Sequence, residues 1–316
     1  MQVPQLHLGV GTALGPLSIF PVWTSGHGDL AISTGAHANV AVNELPDGAQ
    51  VGKLMASNNG PRPALLLEGE LLEGGKQHRT CAHDVILGAG ETRTIGTYCV
   101  EEGRWEAGMS SHRRQSRRAP LTVRAELASR VGASDSSNRQ GRIWERVRRL
   151  DAARGASATN SLVDHLDRQA LAPSFDPNDA LPPIDGQRGV LFGIGTQPLV
   201  LEIFGTHTMF RRHYHQLIRA ALLDLELLPA KVMASNRMSG QQARDFAAVV
   251  QGLDFGAFDG GPLAGVRSHG PLRSRPVSSL RAGLEGAGIA VELPHRGPEL
   301  AHLTVWNTKH PLMEMV

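Results

Sequence analysis

The sequence predicts an α+β fold: a β-rich N-terminal half of antiparallel sheet or sandwich, a helical middle segment, and a C-terminal half mixing hairpins and helices. Three observations lead there. Turn-forming clusters interrupt short strand-like runs about every ten to fifteen residues as far as Trp105. From Pro120 the apolar residues recur at helical spacing. From Gly189 strand chemistry returns and feeds an amphipathic helix. The 36 glycines and 19 prolines in 316 residues suit a chain of many turns, and 4% aromatic content leaves the core mainly to Leu, Val, Ile and Ala.

In chain order, Leu6–Val10 and Leu17–Trp23 read as strands on either side of the Gly15-Pro16 turn. Asp29–Ser33 and Ala38–Glu44 read as strand or short-helix pieces, Val51–Ser57 as a strand stopped by Asn58-Asn59-Gly60-Pro61, and Ala64–Leu67 as a buried strand. Thr80–Leu87 and Glu91–Val100 predict a hairpin about Gly88-Ala89-Gly90. Gly108–Ala119, containing SHRRQSRR, reads as a basic loop.

Helices are expected at Leu121–Val131, at Ile143–Leu150, and from an Asn160 or Ser161 cap through Leu162, Val163, Leu166 and Ala170. The polar stretch Gly132–Gly141 separates the first two, and Ala172–Asp185, with four prolines, reads as a linker. Gly189–Phe204 predicts a hairpin. Thr206 or Thr208 then caps a helix whose apolar face runs from Phe210 and Tyr214 to Leu225 and Leu228 before Pro229. Ser239-Gly240-Gln241-Gln242 has the spacing of a capping box, and Ile289–Leu293 with Glu299–Trp306 makes a last hairpin. The expected division is 1–118 as the β-rich half carrying a site, 119–185 as a basic helical segment and linker, and 186–316 as an α+β half packed with the first as one unit.

No run approaches the ~20 apolar residues of a membrane span. MQVPQLHLGVG carries no basic region before an apolar stretch, so a cytoplasmic location is expected. The two cysteines, Cys81 and Cys99, fall in the predicted hairpin and are expected as buried thiols. Charge is uneven: Arg104–Arg154 holds thirteen Arg against five acids, a local +8 in a chain of net +2. That segment has no aromatic interleaving for base stacking, so a solvated basic face is favoured over nucleic-acid binding.

The chemistry concentrates in Leu65–Trp105, where two polar clusters sit inside strand-like runs. The first runs from Glu68 to Arg79 and the second from Cys99 to Trp105. Closing the hairpin brings Arg79 towards Cys99–Glu101, with the Glu70–Gln77 loop close by. Glu70 and Glu101 are candidate acid/base groups, because carboxylates in different environments are driven to different pKa values; Glu73 and His302 are secondary candidates. Arg79 and Arg104 offer planar forks for phosphate or carboxylate; Gln77 would orient a substrate group, and Lys76 adds a cation. A divalent metal bridging the Glu side chains fits the cluster, though no spacing demands one. No P-loop, Ser-His-Asp signature or post-strand G-x-G-x-x-G is present.

These motifs resemble a bacterial family named for its association with ADP-ribosylglycohydrolases and rhodanese-phosphatase proteins. That family carries a segment like dGEel.GakQnR and, after a hairpin, one like CvErgRW. Here they stand as EGELLEGGKQHR (Glu68–Arg79) and CVEEGRW (Cys99–Trp105). QGRIWERV (Gln140–Val147), Gly189–Leu222 and LAHLTV (Leu300–Val305) resemble later parts of it. Glu68 replaces a frequent Asp and His78 a frequent Asn. The resemblance implies an enzyme or binding domain in systems that handle ADP-ribose, NAD-derived or RNA-repair chemistry.

Three readings follow. The first is an enzyme acting on a nucleotide-, ADP-ribose- or ribose-phosphate-like anion. The second is a non-catalytic module binding the same class of ligand. The third is a structural or interaction protein in which Glu70–Arg79 and Glu101–Arg104 are internal ion pairs.

Overall fold

A computed structural model of the chain describes residues 1–105, 109–128, 136–171, 175–228, 236–257, 273–281, 283–293 and 297–314. The fold is α+β. The described residues of 1–30 and 175–316 make one compact unit and those of 31–174 another. The first unit opens with β1 (Leu6–Leu8), β2 (Thr12–Leu14) and β3 (Leu17–Thr24). Gly15, at φ 57°, makes the tight β2–β3 turn that Gly15-Pro16 predicts.

The second unit contains β4 (Ser33–Thr34), β5 (Val40–Asn43), β6 (Lys53–Asn58), β7 (Ala64–Leu66), β8 (Glu70–Gly74), β9 (Arg79–Cys81), β10 (Val85–Leu87), β11 (Thr92–Cys99) and β12 (Ser111–Arg118). Six strands close into an antiparallel barrel in the order β11-β6-β5-β12-β8-β9, and the other three form a small sheet, β10-β7-β4. Val42, Leu54, Ala56, Leu72, Cys81 and Ile95 form one apolar cluster with Leu66, Val85 and Leu87 of the small sheet. The small sheet thus plugs the end where β6 finishes, and Asn58 ties it there by donating to the carbonyls of Leu87 (3.2 Å) and Gly88 (2.8 Å). At the opposite end β5, β8 and β11 finish while β6, β9 and β12 begin.

Two strand predictions need correction. Thr80–Leu87 is not one arm of a hairpin. Arg79–Cys81 does pair with β11, with Arg79 opposite Cys99, but Val85–Leu87 leaves the ladder to pair with β7 and bury its side chains in the plug. The expected basic loop is barrel strand β12, read as a loop because its inward positions are charged. Ser116, at φ 59°, marks an irregularity between Arg114 and Arg118. Both cysteines are buried free thiols.

The helices of this unit are α1 (Leu121–Ala128), α2 (Ser136–Arg154) and α3 (Leu162–Leu171). α2 begins within the polar stretch expected to separate two helices, whose residues 132–135 lie outside the described ones. Its Gln140 side chain pairs with Cys99 as a strand would, accepting the backbone N–H and donating to the carbonyl, each at 2.8 Å.

The chain returns to the first unit with β13 (Gly189–Ile194), β14 (Gln197–Phe204), α4 (His207–Leu225), α5 (Gly240–Gln251), β15 (Gly256–Ala257), β16 (Arg273–Arg281), β17 (Leu284–Leu293), β18 (Gly297–Asn307) and α6 (Pro311–Glu314). Its antiparallel sheet runs β1-β3-β13-β14-β18-β17-β16-β15, with β2 folded back on β3. Alternate residues of β14 face opposite layers: Leu201 and Ile203 join a core with Ala243, Phe246 and Val250 of α5, while Phe204 meets Phe210 of α4 at 5.8 Å. Thr206, one of the two expected caps, caps α4 by accepting the Met209 N–H, and Ser239 with Gln242 forms the full capping box of α5 as predicted. The β13–β14 and β17–β18 pairings also match, while the Pro229 stop and the turn at 294–296 lie outside the described residues. Among the described residues no helix is long and apolar enough to cross a membrane.

Candidate functional site

The barrel end opposite the plug is polar, and β8, β9, β11 and β12 build it. β8 leaves the barrel through Gly74 and Gly75, both at positive φ. A Cβ on Gly75 would lie 2.1 Å from His112 Nε2 and 2.9 Å from Glu44 Oε1, so the approach of this loop to those side chains requires glycine. Glu44 follows β5, and its Oε1 accepts the Lys76 backbone N–H at 3.0 Å and lies 3.2 Å from His112 Nε2. The other ring nitrogen of His112 faces the Leu72 carbonyl at 3.3 Å. Burial lowers the His112 pKa below 6.5, more than the Leu72 carbonyl and Glu44 raise it; Arg79 lowers it further.

Glu101, 2% exposed, holds the second motif together. Arg104 donates to both its oxygens (Nε to Oε1 3.0 Å, Nη2 to Oε2 2.8 Å), the His78 N–H to Oε2 at 2.9 Å, and Thr159 Oγ1 to Oε1 at 2.7 Å. Burial alone would raise the Glu101 pKa, but the bonds from Arg104, His78 and Thr159 together hold it below the usual 4.5. Arg104 also donates to the Gly75 carbonyl at 2.9 Å, which ties the two sequence motifs directly. Burial is likewise the main reason the His78 pKa is lowered.

Arg79 is different. Its side chain is fully buried (0% exposed), and it makes no ion pair among the described residues. Nη1 donates to Gln77 Oε1 at 2.8 Å and to Cys99 Sγ at 3.4 Å. Nε and Nη2 meet no acceptor among the described residues. The Trp105 ring, 42% exposed, lies over the guanidinium at 5.6 Å. Gln77 is fixed by donating to the Glu101 carbonyl at 2.9 Å, which also accepts from the Cys99 thiol at 2.7 Å. Burial raises the Cys99 pKa, although Arg79 opposes it. A second buried orphan lies at this barrel end: Glu44 Oε2 has no partner among the described residues.

The structure therefore brings Gln77, Arg79, Glu101, Arg104 and the Lys76 backbone together, and separates the other candidates. Glu70 begins β8, on the plug side, and Arg114 of β12, not Arg79, grips its Oε1 through Nη2 (2.7 Å) and Nε (3.1 Å). Glu73 points to the outer face and accepts from Arg117 (2.6 Å) and Gln115 (3.2 Å). His302 lies in the other unit, on β18, with Nε2 2.9 Å from Glu202 Oε1. Sequence reasoning missed Glu44, His112 and the β12 arginines. The signal for the β12 residues was the alternation within SHRRQSRR, opposite the EGELLEG acids. Much of the basic segment is likewise used inside the unit: Arg118 and Arg124 hold Glu68, and Arg142 and Arg146 hold Glu126. No group of three or more His, Cys, Asp or Glu among the described residues is arranged to hold a metal ion.

The two motifs thus meet at the polar end of a closed barrel whose other end is plugged. The match to known families agrees with the motifs: residues 5–306 fit the ARG and Rhodanese-Phosphatase-superfamily-associated Protein domain, ARPP-1. The chain belongs to that family. No curated protein and no solved structure matches it.

Proposed function

We propose that the polar end of the barrel binds an anionic small molecule of the nucleotide, ADP-ribose or ribose-phosphate class, with Arg79 as the group that takes the anion. One observation carries this reading: a fully buried guanidinium with two nitrogens, Nε and Nη2, that meet no acceptor and no carboxylate among the described residues. Burying an ion costs several kcal/mol even after relaxation. The Trp105 ring returns ~2 kcal/mol by cation–π attraction, and the Gln77 carbonyl and Cys99 sulfur are neutral acceptors. An anion on Nε and Nη2 would complete the fork in the bidentate geometry that phosphate and carboxylate favour. The family's association with ADP-ribosylglycohydrolases and phosphatases supports a phosphate-bearing ligand.

The same geometry supports a structural role for most of the acids. Glu70, Glu73 and Glu101 each accept from arginine, so their oxygens are already committed inside the fold. An enzyme using Glu70 or Glu101 as its acid/base group would first have to release it. Binding at Arg79 makes no such demand, so it ranks ahead of catalysis at these carboxylates.

The test is thermal unfolding of the wild type and Arg79→Met with ADP-ribose, NAD, nucleotides and sugar phosphates, each with and without Mg²⁺ or Mn²⁺. A ligand at ~100 times its Kd adds about 2.7 kcal/mol to wild-type stability. The expected result is a shift in the wild type that folded Arg79→Met lacks. A shift of equal size in both proteins would move the ligand away from Arg79.

A further inference from the structure

We propose that Glu44, held by His112, is the second recognition arm of this site, and that the ligand is a phosphorylated sugar whose free hydroxyl bonds Glu44 Oε2 while its phosphate sits on Arg79. This rests on the Arg79 reading above. The two groups stand at the same barrel end, Arg79 at the start of β9 and Glu44 just after β5, and each carries a buried polar atom without a partner among the described residues. His112, which contacts Glu44, also feels the charge of Arg79. Donor and acceptor together call for a ligand that accepts at one point and donates at another.

The two ring nitrogens of His112 face two acceptors, the Leu72 carbonyl and Glu44 Oε1. His112 and the Lys76 N–H thus occupy Oε1, and the other oxygen, Oε2, is an acceptor that meets no donor among the described residues. A ligand O–H supplies that donor while its phosphate supplies the acceptor for Arg79. A sugar phosphate carries its acceptor and its donor on separate groups, whereas inorganic phosphate carries both on one centre. His112 acts here as a positioning residue, holding Glu44 Oε1 so that Oε2 is left for the ligand.

Calorimetric titration of the full chain with ribose 5-phosphate and with inorganic phosphate tests the idea in the wild type alone. Tenfold or tighter binding of ribose 5-phosphate is expected. Equal affinity for the two would overturn the hydroxyl arm while leaving Arg79 as an anion site. No binding of either would overturn both readings. Glu44→Gln, checked for wild-type near-ultraviolet circular dichroism, is expected to keep phosphate binding and lose the preference for the sugar. Retention of the preference in that folded variant would overturn the role of Glu44. Arg79→Met is expected to bind neither.

Discussion

Two arginines about 25 residues apart do opposite work. Arg104 and Glu101 form a half-buried pair in which every donor answers an acceptor, and breaking such a pair leaves a charge stranded. Arg104→Ala is therefore expected to cost ~3–5 kcal/mol in urea denaturation. The same pair sets an acid limit. The folded pKa of Glu101 lies below its ordinary 4.5, so its stabilisation is present above that value and is lost as pH falls through the lower folded pKa. Glu101→Gln should lower stability at pH 7 and flatten the loss of stability below pH ~4.5, measured as unfolding free energy against pH. If the variant loses stability with the wild-type slope below that pH, Glu101 does not set the acid limb. Arg79, by contrast, is a buried charge with no ion-pair partner among the described residues.

At the scale of elements, the β8–β9 connection and β12 decide whether the site exists. Gly75 sits at φ 57° against His112 and Glu44. Gly75→Ala combines a left-handed backbone cost of ~1–2 kcal/mol with a collision at the ring nitrogen. It should lower the melting temperature and abolish ligand stabilisation, whereas Gly90→Ala, also at positive φ but with open space around its Cβ, should cost only the backbone part. A comparable loss in the two variants would argue against the close approach of this loop. The α5 capping box gives an independent check of the other unit: Ser239→Ala should cost ~1 kcal/mol by denaturant unfolding. Helix caps and hairpins were legible in sequence because their signals are local. β12 was not legible, because a run of arginines reads as solvated until its opposing acids on β8 and the Glu68 turn are placed across from it.

Over the whole molecule, local patterns gave the α+β class, the approach of Arg79 to Cys99–Glu101, and the meeting of the GELLEGGKQHR and CVEEGRW motifs, while the register that sets Arg79 opposite Cys99 came from the structure. Barrel closure was invisible, because it depends on β5 and β12 pairing across some seventy residues. That closure is why Glu70 and Glu101 stand at different ends rather than as a catalytic pair: β8 carries the chain ~13 Å from Glu70 to Gly74. It is also why Glu44 and His112, distant in sequence from both motifs, reach the site. The plug supplies apolar mass at one end and leaves the polar groups to the other.

The central claim, that Arg79 is kept for a ligand at the expense of stability, is tested most directly by urea unfolding of wild type and Arg79→Met without ligand. A buried charge with no ion-pair partner among the described residues, replaced by an apolar side chain of similar length, should leave stability unchanged or raise it. A loss of several kcal/mol, of the size expected for Arg104→Ala, would show that Arg79 is a structural partner and contradict the account.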